Sequence, residues 1–95
     1  MITKSLALLL APKGIRVNSL NPGLVRTEFL TRFGIVGDVL DKIEDSFNIP
    51  FERGSSAEEQ AKSLLFLASD DASYMTGTIL VNDGGLLLGK DYHLE

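Results

Sequence analysis

A short apolar run that stops abruptly constrains this chain more than any other feature. Residues 14–20, GIRVNSL, carry Ile15, Val17 and Leu20, and the run breaks on Asn21-Pro22-Gly23, a strong turn signal. Such a run reads as a buried strand leaving into a loop. A second apolar run at residues 78–81 is closed by Asn82-Asp83-Gly84-Gly85. Helical sequence separates the two. Strand, long helical crossover and strand again is the pattern of a parallel unit, and in an open parallel sheet ligands sit on loops at the carboxyl ends of strands. The polar loop after Leu20 is therefore a site candidate.

The rest of the chain supplies the helices. Residues 1–11 are rich in Leu and Ala, with Ile2, Leu6, Leu9 and Leu10 on one stripe; Pro12 cannot continue that helix and Gly14 stops it. So little polar face remains that both sides of the helix should be covered. Val39, Leu40, Ile43 and Phe47 predict an amphipathic helix between positions 37 and 46. Ser56 followed by Glu59 is a capping box, which opens a helix with Ala57, Ala61, Leu64, Leu65 and Ala68 on one face. Asp70-Asp71 and Ser73 end it. Residues 86–95 carry no clear signal.

Composition excludes several classes of function. Thirteen acidic and nine basic residues give a net charge of −4, with no basic stripe, so no nucleic-acid partner is expected. Cysteine is absent, which removes disulfides, thiol catalysis and thiolate metal sites and fits a reducing compartment. No stretch approaches the ~20 apolar residues of a membrane span, and the leucine run after Lys4 is shorter than the roughly 7–15 residues of a signal-peptide core. No membrane partner is expected, and the compartment reads as cytoplasm or an organelle matrix.

From the residues alone, the candidate sites each carry a plainer alternative. Pro22, Gly23, Val25 and Thr27 form either an ordinary tight turn or a ligand loop. In the second case proline fixes the exit direction, glycine admits close approach of a flat ring, and amides and a hydroxyl donate to an amide or phosphate. Phe29, Phe33, Phe47 and Phe51 either line an apolar pocket or simply pack. Asn18 reads as a polar brace within the strand, since a buried amide must be paired. Asp83-Gly84-Gly85 reads as a strand-ending turn rather than a metal site. His93, the sole histidine, has no partner at readable spacing. Glu58 and Glu59 are adjacent on a helix and do not face each other, so they suit a helix amino terminus better than acid/base chemistry.

The order of these pieces resembles the second half of the short-chain dehydrogenase/reductase family. The matching segments are APKGIRVNSLNPGLVRT at residues 11–27 and RGSSAEEQAKSLLFLASDDASYMTGTILVNDGG at residues 53–85. The resemblance implies an α/β fold, a partial Rossmann-type doubly wound arrangement holding the last two parallel strands with flanking helices, as one partial domain over 1–95. It implies that Pro22, Gly23, Val25 and Thr27 bind NAD or NADP. The backbone at Val25 would meet the carboxamide and Thr27 the pyrophosphate, while residues 28–52, with Phe29, Phe33 and Phe47, form a substrate lid.

Two family motifs do not occur: the glycine-rich turn for the pyrophosphate and the Tyr-x-x-x-Lys pair. Tyr74 is followed four residues on by Thr78. No catalytic residue is therefore assigned, and the chain reads as the carboxyl-terminal third or so of such an oxidoreductase, begun at an internal methionine. Expected partners are the missing amino-terminal portion, an intact family member or a second copy. The competing expectation is a noncatalytic module for interaction or oligomerisation.

Overall fold

The computed structural model describes residues 1–26, 32–34 and 37–89. Helix α1 spans Ile2–Leu10 and tightens into a 3₁₀ turn, Ala11–Lys13, that ends at Gly14. The strands are β1, Ser19–Pro22; β2, Val25–Arg26; β3, Ser55–Ser56; and β4, Ile79–Asn82. Helix α2 spans Gly37–Phe47 and α3 spans Ala57–Ala68. β1 and β4 are parallel, with Ser19 beside Ile79 and Pro22 beside Asn82, and β2 and β3 form a second parallel pair with Val25 beside Ser55.

The first strand begins later than residues 14–20 imply. Val17 and Asn18 do lie next to the other strand's approach, but they bond a turn rather than a ladder. The Val17 amide donates to Thr76 Oγ1 at 3.1 Å, and its carbonyl accepts from the Gly77 amide at 2.7 Å. Asn18 is the brace the sequence suggests: its Nδ2 donates to the Met75 carbonyl at 3.0 Å, and its Oδ1 accepts from the Thr78 amide at 3.0 Å. At the far end, Pro22 closes the strand, where a missing N–H costs nothing to the ladder.

Helix α3 begins on the expected capping box. Ser56 Oγ accepts from the Glu59 amide at 3.1 Å, and the Ser56 amide donates to Glu59 Oε1 at 2.9 Å. Its other end is held by Arg16, which donates to the carbonyls of Leu67 at 2.9 Å and Ser69 at 3.3 Å. These are among the carbonyls a helix leaves without partners of its own.

The expected apolar faces do not point inward. In α1 the buried residue is Ala7, while Leu8 and Leu9 are 80% and 69% exposed; in α3 the buried residues are Gln60 and Leu67, while Leu64 and Leu65 face out. Gln60 is drawn in because its amide bridges two strands. The buried apolar side chains among the described residues are Ala7, Leu40, Ile49, Leu67 and Ala72. The Cα radius of gyration is 16.6 Å, against about 12 Å for a compact chain of this length. The chain is thus a thin α/β layer with apolar helix faces turned to solvent. No helix among the described residues is long and apolar enough to cross a membrane.

Candidate functional site

The parallel register puts the carboxyl ends of β1 and β4 side by side, and the two loops that leave them interlock. The Gly23 amide donates to the Asn82 carbonyl at 3.2 Å. The same carbonyl accepts from Gln60 Nε2 at 2.9 Å, and that nitrogen also donates to Ser55 Oγ at 2.9 Å. Asn82 Nδ2 donates to Ser63 Oγ at 2.7 Å. The end of β4 is therefore tied at once to the first loop, to α3 and to β3.

Gly23 occupies a place that no other residue fits. A Cβ built on it would lie 2.8 Å from the Asp83 Cβ and 2.9 Å from the Asp83 Cα. The tripeptide Asp83-Gly84-Gly85 is a structural turn. Asp83 Oδ1 accepts from the Gly85 amide at 2.9 Å and Oδ2 from the Leu87 amide at 3.1 Å, which holds the 3₁₀ turn Leu86–Leu88. Both carboxylate oxygens are committed to backbone.

Beside this junction lies a shallow concavity lined by Asn21, Pro22, Gly23, Val81, Asp83, Leu86 and Leu87. Its walls are chiefly apolar and it sits at the carboxyl ends of two parallel strands, the usual station of a ligand in such sheets.

The candidate loop residues are brought together only in part. Pro22 ends β1, Gly23 locks against Asp83, and Val25 is half-buried in β2. Thr27 and Phe29 lie outside the described residues. Of the aromatic candidates, Phe33 is 70% exposed and Phe47, the last residue of α2, is 45% exposed. Phe51 lines a second concavity with Pro50, Val81 and Leu87.

The structure adds residues that the sequence reading passed over. The β2–β3 pair is one, and its Ser55 amide donates to the Leu24 carbonyl at 2.8 Å. Arg53 is another: it donates to both carboxylate oxygens of Glu59, at 2.7 and 2.9 Å. That guanidinium, followed by the Ser56 amide, lowers the Glu59 carboxyl to about 2. The third is Glu44, buried on α2, which faces Arg26 and the Gly54 amide. An acidic residue within an otherwise apolar stripe (Leu40, Ile43, Phe47) was the available signal.

Comparison with known proteins extends the picture. The sequence matches the family model described as enoyl-(acyl carrier protein) reductase over residues 1–87. It is 43% identical over 84 residues to the oxidoreductase YgfF of Escherichia coli K12, covering 88% of this chain and 33% of that protein. It is 42% identical over 89 residues to a 3-alpha-(or 20-beta)-hydroxysteroid dehydrogenase of Mycobacterium tuberculosis, covering 93% of this chain and 30% of that protein. Among solved structures, an NADPH-bound short-chain oxidoreductase of Pseudomonas aeruginosa PAO1 with an atypical catalytic centre superposes with a TM-score of 0.79. The two are 32% identical, and the match covers 96% of this chain and 35% of that one. The chain spans about a third of the length of these relatives.

Proposed function

Because this chain belongs to the short-chain dehydrogenase/reductase family, we propose that it is the carboxyl-terminal part of an NAD- or NADP-dependent oxidoreductase acting on a carbonyl or alcohol, and that it does not turn over alone. The observation that carries this is the interlocked junction of Gly23 with Asn82 and Asp83 at the carboxyl ends of paired parallel strands. In this reading Pro22, Gly23, Val25 and Thr27 form one wall for the nicotinamide end. Residues 28–52, with Phe29, Phe33 and Phe47, contribute the substrate side. The chemistry of hydride transfer belongs to the nicotinamide.

This chain's own share is positional. The Gly23–Asn82 bond and the Asp83 turn tie the loop to the end of β4, and Val81 and Leu87 give the concavity beside it apolar walls. The sequence contains no Tyr-x-x-x-Lys pair to hold or release a proton. It also lacks the glycine-rich turn that would bind pyrophosphate at a helix amino terminus. The expected setting is the cytoplasm or an organelle matrix.

The test is direct. The purified 95-residue chain, free of host reductases, is offered NADH and NADPH with a broad panel of aldehydes and ketones. No oxidation of the nucleotide above the blank is expected, and clear turnover overturns the reading.

A second reading has its own observation. Leu8, Leu65 and Tyr74 are 80%, 71% and 101% exposed, so α1, α3 and the turn after α3 present apolar surface of the kind that recruits partners. On this reading the chain is a noncatalytic module that assembles with itself, with an intact relative or with the amino-terminal portion. Sedimentation decides: a compact monomer that binds no apolar dye counts against it.

A further inference from the structure

Glu44 is 8% exposed, although its neighbours Asp41 and Asp45 on α2 face solvent. Its Oε2 accepts from the Gly54 amide at 3.1 Å, and its Oε1 lies 2.5 Å from Arg26 Nε as an ion pair without hydrogen-bond geometry. Arg26 also reaches Asp41, one turn earlier on the same helix, at 3.5 Å. Gly54 is buried and packed hard. A Cβ on it would meet the Leu24 carbonyl oxygen at 3.1 Å and the Arg26 Cγ at 3.2 Å. Helix α2, strand β2 and the segment entering β3 thus converge on one buried carboxylate.

A carboxylate taken out of water is costly, and its partners offset that cost only in good geometry. A leucine of similar bulk would fill the same space without the penalty. What the carboxylate adds is direction, because Gly54 and Arg26 accept α2 in one orientation only. Arg26 stands three residues from Gly23 and next to Val25.

We propose that Glu44 is a positioning residue which clasps α2 to strand β2, so that the substrate side and the cofactor wall of the site shift as one piece. This rests on reading residues 22–27 as the cofactor wall and 28–52 as the substrate segment. Apart from Glu44, the buried residue on α2 is Leu40, an apolar side chain that fixes no direction. With the clasp closed, a displacement of α2 pulls on Arg26 and on the Gly54 amide.

The experiment uses the 95-residue chain with no nucleotide present, comparing wild type with Glu44→Gln, Glu44→Leu and the charge swap Arg26→Glu with Glu44→Arg. Amide exchange and backbone resonances are read by NMR. Losing a hydrogen bond to a charged acceptor should speed exchange of the Gly54 amide by about tenfold or more. Resonances of residues 24–26 should move together with those of α2. The isosteric Glu44→Gln covers the case in which Glu44→Leu does not fold. Recovery of the wild-type resonance pattern at 24–26 in the charge swap supports an electrostatic clasp, since a purely space-filling role would not be rescued by it. Unchanged Gly54 exchange, with shifts confined to α2 in both single variants, overturns the proposal. A separate titration of wild type with millimolar NADPH, followed at Gly23 and Val25, tests the cofactor reading. Shifts confined to Gly23 and Val25 support the cofactor wall, while the clasp is read from Gly54 exchange whatever the titration gives.

Discussion

Gly23 and Asp83 stand so close that the space between them admits no side chain on the glycine: a Cβ there would lie 2.8 Å from the Asp83 Cβ. The atoms met are the Asp83 Cβ and Cα, and the Asp83 carboxylate is itself held by the Gly85 and Leu87 amides, so the side chain cannot swing away. Gly23→Ala should therefore part the two loops and cost about 1–3 kcal/mol, the range for overpacking a tight site. Urea denaturation would give the loss. Faster amide exchange at Gly85 and Leu87 would locate it.

Asn18 offers a second test inside the fold. Replacing it with Leu keeps the bulk but leaves the Thr78 amide without its partner and the Met75 carbonyl with only the longer bond from Arg16 at 3.4 Å. The expected loss is about 1–3 kcal/mol, the desolvation of an unsatisfied group. Asn18→Asp should keep the bond from Thr78 and lose the one to Met75, so it should fall between wild type and Asn18→Leu in the same urea titration.

The Arg53–Glu59 pair predicts a pH dependence with a definite sign. The Glu59 carboxyl is lowered in the folded chain from 4.5 to about 2, first by Arg53 and then by the Ser56 amide. A carboxyl with a depressed folded value contributes stability that is present above its unfolded value and lost as pH falls through the folded one. Stability from this group should hold at neutral pH and drain away between roughly 4.5 and 2. Glu59→Gln should flatten that part of the melting temperature against pH, while Ser56→Ala should lower stability by about 1 kcal/mol through loss of the helix cap.

Leu65 tests the exposed face of α3. It is 71% exposed, so Leu65→Lys should change stability by no more than about 0.5 kcal/mol. The same variant should reduce binding of an apolar dye and weaken any self-association seen by sedimentation. A large fall in stability would mean that the face is covered in solution.

Much of the fold was legible because its signals are local. The Ser56–Glu59 box depends on four consecutive residues, and Asn18 within an apolar run needs a partner wherever it sits. Helix α2 runs one residue past its expected end. The unreadable features are set by distant chain. β2 and β3 are two residues each, too short for any alternation to show, and they exist because Leu24 and Ser55, far apart in the chain, meet in the fold. The inward face of α3 was misjudged because apolar count pointed to Leu64 and Leu65. The helix turns instead on Gln60, whose amide is claimed by Ser55 and Asn82. For the site, the loop at Pro22 and Gly23 was visible as a turn. Its fit against Asp83 was not, since nothing in either tripeptide records the distance between them.

The open layer has a calorimetric consequence. Heat capacity rises on unfolding in proportion to the apolar surface newly wetted, and here Leu8, Leu9, Leu64 and Leu65 already meet water in the native state. The isolated polypeptide should thus absorb heat over a broad, shallow range. A covering molecule laid across those leucines should sharpen the endotherm and move it upward.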